Sequence, residues 1–216
     1  ILLLSLNLVF SISVVHQTFR DLASVADVIL TNCSGAFGIA ISEYIFTGLL
    51  MLMRLMPKYL DNQKEQIWHC EGLCRSIYGS TITVIGMGDI GTNFAKRAKA
   101  FGAYVKGVRR TKSAPNEYFD EVFASDEINL AVTNSDAVVL CLPGTSSTKE
   151  LISADCISHM SPNTILVNCG RGATLDQKAL TQALLEHKLA GAVLDVAAVE
   201  PLPKEHPLWT IPNVII

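Results

Sequence analysis

The stretch Thr81-Ile82-Thr83-Val84-Ile85-Gly86-Met87-Gly88-Asp89-Ile90-Gly91 decides the reading of this chain. Consecutive β-branched residues predict a buried strand, and a G-x-G-x-x-G follows at once, opening a segment, Ile90–Phe101, with helical apolar spacing. In that context each glycine has a task. Gly86 permits a tight turn, Gly88 lets the backbone approach a pyrophosphate, and Gly91 lets the helix pack closely on the strand. The N-terminal N–H groups of that helix, at its positive end, then face the anion. Strand, loop and helix together predict a dinucleotide-binding unit, which the glycine pattern alone would not.

The next strand, Ala103–Val108, bears on which dinucleotide. An NAD site ordinarily has an acidic residue here for the ribose 2′-OH. Instead the chain runs into Arg109-Arg110-Thr111, and the first acid is Glu117. Two guanidiniums and a hydroxyl suit a 2′-phosphate, so NADP is expected over NAD; arginines merely solvated at a strand end would leave NAD open.

Downstream, after a polar and irregular stretch to about Thr133, short apolar runs alternate with amphipathic segments. They are Ala137–Leu142, a helix near Ala154–Met160, Thr164–Asn168, a helix over Asp176–His187, Gly191–Val196 and Val214–Ile216. This is the βαβ pattern of an α/β fold, a Rossmann-type doubly wound parallel sheet over residues 76–216. Upstream, apolar residues recur at helical spacing from Ser42 to about Trp68, with Pro57 kinking or ending the helix. Met51, Met53 and Met56 lie on its apolar face and read as core.

Composition removes other function classes. Half of the 216 residues are hydrophobic and 17% are charged, so the chain can bury a sizeable core and is not disordered. The balance of 17 Lys+Arg against 20 Asp+Glu, scattered along the chain, gives no basic field for nucleic acid. The apolar opening run Ile1–Val15 has no basic n-region or small-residue cleavage site and is interrupted by Ser5, Asn7, Ser11 and Ser13. It reads as part of a domain rather than a signal or membrane span, and the missing initial Met suggests a fragment. Cys33, Cys70, Cys74, Cys141, Cys156 and Cys169 read as reduced thiols of a cytoplasmic protein, and no metal site is expected.

Six stretches carry a family resemblance: Asn32–Tyr44 (NCSGAFGIAISEY), Gly86–Gly91, Asp136–Thr148 (DAVVLCLPGTSST), Asn168–Asp176 (NCGRGATLD), Gly191–Val196 (GAVLDV) and Glu200–Val214 (EPLPKEHPLWTIPNV). In order and spacing the chain resembles the D-isomer-specific 2-hydroxyacid dehydrogenases. The resemblance implies a partial, flavodoxin-like substrate domain and linking helix over residues 1–75, followed by the NAD(P)-binding domain. It implies reduction of a small 2-keto acid by hydride transfer from the nicotinamide, with the glyoxylate/hydroxypyruvate type favoured. Phosphoglycerate or formate dehydrogenase, or a non-enzymatic NAD(H)-sensing co-repressor-like protein, are the alternatives.

Residue by residue, the resemblance makes Arg171 the catalytic arginine that clamps the substrate carboxylate and polarises the carbonyl, a task suited to a guanidinium fork. Glu200 becomes the glutamate that orients a histidine acid/base and keeps it charged. By the same matching Asp195 faces the nicotinamide end, Cys169 and Gly170 adjoin the nicotinamide, Leu142, Pro143 and Thr148 line the adenosine side, and Asp89 and Ile90 present backbone N–H groups to the pyrophosphate. The family histidine lies in a Pro-His pair beyond Ile216, so this stretch alone is expected to be inactive; His206 and the other histidines match no catalytic position. A substrate-binding loop is expected within Asn7–His16. Relatives form dimers through the nucleotide-binding domain, which implies a homodimer using the helix that includes Ser42–Met56.

Overall fold

The computed structural model describes residues 8–11, 29–33 and 35–216. The expectations for Ile1–Val15 and for the loop within Asn7–His16 lie, apart from 8–11, outside these residues. By its contacts the chain divides into two units, residues 1–37 and 38–216. In the first, β1 (Leu8–Ser11) and β2 (Ile29–Asn32) pair in parallel, Leu8 opposite Ile29.

The second unit is a parallel sheet of seven strands: β3 (Thr81–Ile85), β4 (Tyr104–Arg109), β5 (Glu121–Ala124), β6 (Ala137–Leu140), β7 (Ile165–Asn168), β8 (Gly191–Leu194) and β9 (Val214–Ile215). Their spatial order is β5-β4-β3-β6-β7-β8-β9. The chain therefore winds outward from β3 in one direction and, from β6, in the other, which is the doubly wound arrangement read from the sequence. Strand alternation feeds two cores. Val84, Val139 and Val167 face α1 (Gly38–Met53) and α3 (Asp89–Ala100), while Ile85, Leu140 and Leu166 face α4 (Ile128–Val132), α5 (Ala154–Ser158) and α6 (Gln177–Leu185). Burial on both faces explains why these strands read as continuous apolar runs.

The boundary set at residues 75/76 separates the glycine motif from what precedes it, whereas the compact unit reaches back to Gly38. The reason is α1, whose Ile45, Leu49 and Met53 are buried in the sheet core and whose Phe46 ring lies 4.7 Å from that of Phe94. A Cβ built on Gly48 would come within 2.5 Å of Val193, so α1 sits directly on β8.

Three expectations are corrected. The helix read from Ser42 to about Trp68 is two helices, α1 and α2 (Met56–Lys64), bent by 68°, and the break falls at Leu55 in the left-handed conformation. Pro57, expected to kink or end the helix, sits in the first turn of α2, where no N–H is required, so the kink is present and its break lies two residues earlier. Met53 is core, but Met56 is 40% exposed. The stretch read as irregular contains β5 and α4. Among the described residues, no single helix is long and apolar enough to cross a membrane.

A polar tie fixes the edge of the sheet. Lys99 Nζ of α3 donates to Asp120 at 2.7 Å, and the Val105 N–H donates to the same carboxylate at 2.7 Å. Burial pushes the Asp120 carboxyl upward, but the Lys99 and Val105 bonds outweigh it and hold it below its ordinary 3.8. A folded-state value below the unfolded one stabilises at neutral pH, and that contribution is lost as pH falls through the folded value. We therefore expect Asp120→Asn to cost about 1–2 kcal/mol in urea unfolding at pH 7, with the gap from wild type narrowing as pH falls below 3.8.

Candidate functional site

Ile85 is in register with Val108 on one side and Leu140 on the other, so the segments leaving β3, β4 and β6 emerge together where the strand order reverses. Backbone bonds continue the ladder past the strand ends: the Gly86 N–H donates to Val108 O at 2.9 Å and the Cys141 N–H to Ile85 O at 2.8 Å. A crevice at the carboxyl ends of the strands, at this switch point, is where open α/β sheets hold ligands. Here it is a cavity of about 540 Å³ whose lining includes Gly86, Gly88, Arg109, Arg110, Leu142, Pro143 and Thr148.

The motif glycines differ in what surrounds them. Gly86 has φ +105°, and a Cβ there would lie 2.7 Å from Cys141 O; one on Gly91 would lie 2.0 Å from Gly86 O. Both are required by the protein's own backbone. Gly88 has an ordinary φ of −83°, and a Cβ there would meet nothing within 4 Å. Asp89 opens α3, its carboxylate accepting from Asn93 Nδ2 at 3.0 Å, and Ile90 packs half-buried against the core. Thr148 Oγ1 donates to Pro143 O at 2.6 Å and accepts from the Thr145 N–H at 2.8 Å, which pins the far wall. Met87, Ser125, Thr145, Ser147 and Leu151 also line the cavity and were not singled out from sequence. Ser125 follows the short edge strand β5, and only the recognition of that strand could have signalled it.

A second group lies at the ends of β7 and β8, beside this cavity. The Cys169 thiol donates to Leu140 O at 3.3 Å and its Sγ lies 3.7 Å from that of Cys141. The bond to Cys169, together with burial, raises the Cys141 pKa well above the ordinary thiol range, so Cys141 stays protonated. A Cβ on Gly170 would lie 2.5 Å from Leu142 O, which keeps the two strand-end loops in contact. Arg171 is exposed, its Nη1 donating to Gly170 O at 2.8 Å, and its stem runs past Gly144. Asp195 is exposed at the end of β8 and its N–H donates to Asn168 O at 3.0 Å. Glu200, also exposed, accepts from the Ala197 N–H at 3.1 Å. The turn after Arg171 and the loop before Glu200 touch: Gly172 lies so close to Ala197 O that a Cβ would be 1.8 Å from it.

Tyr44 of α1 belongs to this second group, although its spacing marked it only as an apolar-face residue. Burial first, then the Asp195 carboxylate and Cys169, raise the pKa of its phenol, which stays a protonated donor. His206 Nδ1 accepts from the Leu208 N–H at 3.2 Å, and its Nε2 lies 3.2 Å from Gln177 Nε2, so both ring nitrogens are engaged in loop structure. Among the described residues, no group of three or more His, Cys, Asp or Glu side chains is placed to hold a metal ion.

Residues 46–216 match the family model described as D-isomer specific 2-hydroxyacid dehydrogenase, NAD binding domain. A D-3-phosphoglycerate dehydrogenase of Methanocaldococcus jannaschii is 36% identical over 200 residues, covering 90% of this chain and 37% of that protein. A crystal structure of a D-isomer specific 2-hydroxyacid dehydrogenase family protein from Aeromonas salmonicida is 40% identical, with a TM-score of 0.81 over 88% of this chain and 61% of that one. An NADPH-dependent glyoxylate/hydroxypyruvate reductase from Sinorhizobium meliloti, crystallised with NADP and sulfate, is 26% identical, with a TM-score of 0.84 over 97% of this chain and 67% of that one. The chain thus spans between about one third and two thirds of the length of these relatives. It belongs to the D-isomer specific 2-hydroxyacid dehydrogenase family, and residues 46–216 are its NAD-binding domain.

Proposed function

We propose that this chain is the NADP-binding core of a reductase for small 2-keto acids of the glyoxylate or hydroxypyruvate type, working with a homodimeric partner copy in the cytoplasm. The observation that carries the dinucleotide reading is Gly88, whose missing side chain is explained by nothing in the protein and leaves the backbone at the start of α3 open to a pyrophosphate. NADP over NAD is supported by Arg109 and Arg110. Both line the cavity, and among the described residues neither guanidinium has a side-chain partner, whereas neighbouring Lys112 is tied to Glu127 at 2.8 Å. The NADP in the crystallised Sinorhizobium reductase agrees with that choice. Six unpaired thiols suit a reducing cytoplasm.

Bound NADPH would supply the hydride to the carbonyl carbon of the substrate. Toward that carbon the chain contributes Arg171, whose fork is shaped to clamp a carboxylate and draw electron density from the adjacent carbonyl oxygen. Glu200 would accept a hydrogen bond from a histidine acid/base and hold it charged. Asp195, Cys169 and Gly170 flank the nicotinamide end in this reading, and Asp89 and Ile90 offer their N–H groups to the pyrophosphate.

Dimerisation has its own support. Trp68 and Leu73 are fully exposed and Tyr78 is 81% exposed, all between α2 and β3, and α1 is apolar nearly all round. Such surface ordinarily finds cover, and a second copy is the simplest cover.

Three outcomes follow. Titration with each nucleotide should give a Kd for NADPH at least about tenfold below that for NADH, and Arg109→Ala with Arg110→Ala should remove most of that difference; equal affinities would reject NADP. In the full-length protein, Arg171→Ala should lower glyoxylate turnover by about a hundredfold or more. Light scattering should read about twice 23.4 kDa for the wild type, and Trp68→Glu with Leu73→Glu should halve it.

A further inference from the structure

Asp89 poses an electrostatic problem for the proposed cradle. Its backbone N–H points to the pyrophosphate in that reading, yet its side chain is an anion in the first turn of α3, where both negative groups are favoured by the helix end and repel each other. The structure shows where the carboxylate goes. A Cβ built on Gly38 would lie 2.5 Å from both Asp89 carboxylate oxygens and 2.6 Å from Asn93 Nδ2. The carboxylate therefore lies flat against the bare backbone of Gly38, buried in the first turn of α1, a turn with no acidic residue of its own.

The rest of the recess is walled. Asn93 Nδ2 donates to Asp89 Oδ1 and to Asp89 O, each at 3.0 Å. Arg97 Nη1 donates to Asn93 O at 3.0 Å, and Arg97 reaches back to Glu43 of α1 at 3.9 Å. With Asn93 and Arg97 committed, a displaced carboxylate finds no further partner in the recess, and the neighbouring Gly88 is exposed and carries no side chain to bar it from the cradle.

We infer that Gly38 is a positioning residue for dinucleotide binding: its missing side chain makes the recess that keeps the Asp89 carboxylate out of the pyrophosphate cradle. This rests on the dinucleotide reading and adds to it a residue far along the chain from the glycine motif. A methyl group at position 38 would meet the free end of a flexible side chain, so the fold survives while Asp89 turns outward.

The test is titration of the protein with NADPH, followed by nucleotide fluorescence at low ionic strength. Gly38→Ala should raise Kd about tenfold, the loss should shrink in high salt, and Asp89→Ala in the Gly38→Ala background should restore binding. Unchanged binding in Gly38→Ala, or a loss that Asp89→Ala does not rescue, would overturn the inference, the second outcome marking a merely structural clash. Should Gly38→Ala fail to fold, Asp89→Glu, whose longer carboxylate overfills the same recess, decides: binding severalfold weaker than that of Asp89→Gln at low salt supports the inference, and equal binding of the two overturns it. A wild-type protein that binds neither NADPH nor NADH overturns the dinucleotide reading itself, a failure visible before any variant is made.

Discussion

The contact between Gly91 and the carbonyl of Gly86 is the constraint on which the rest of this structure depends. With 2.0 Å between that oxygen and the place a Cβ would occupy, no side chain fits, and α3 is drawn down onto the loop that leaves β3. Only at that distance does the helix end stand at the edge of the crevice, where its free N–H groups can meet an anion. The same approach seats Phe94 and Ala98 in the core, where α1 packs over them through Phe46. One close backbone contact thus links the sheet, its covering helices and the mouth of the crevice.

Much of this was legible in the sequence because a doubly covered parallel sheet leaves a strong trace. The reading of β3 holds to the residue; β6 and β8 end two residues earlier than their apolar runs, and β7 begins one residue later than its run. β5 and α4 were missed, and the reason is their setting. β5 is a four-residue edge strand whose Glu121 is exposed, and α4 is too short for a helical period to emerge, so neither has a long apolar face to announce it. Pro57 signals the bend but not its side: proline ends one helix or begins the next, and only the left-handed Leu55 tells which.

The crevice was legible where it is made by local chain geometry and hidden where it is made by packing. Gly86, Gly88 and the strand-end arginines follow from one strand and its turn. Ser125 reaches the cavity only because β5 is in register with β4, and Tyr44 faces Asp195 only because α1 crosses the sheet on that side. Gly38 shows the same limit. Its absent side chain matters to Asp89, more than fifty residues later, through a helix contact that no spacing rule encodes.

The buried parts of the crevice are backbone and its charged parts are exposed. Gly91, Gly170 and Gly172 fix the loops against one another, while Arg109, Arg110, Arg171, Asp195 and Glu200 all extend into solvent. An ion pair 4 Å apart is worth about 1 kcal/mol in water and several times that at a partly dehydrated protein surface. A guanidinium in solvent is therefore a weak clamp, and the strength attributed to Arg171 must come from whatever excludes water when substrate and dinucleotide are bound. The loops supply position in advance, through contacts too close for side chains, and the binding event supplies the low dielectric. That division explains how a frame so tightly specified by its glycines can leave its charged heads in solvent until a ligand covers them.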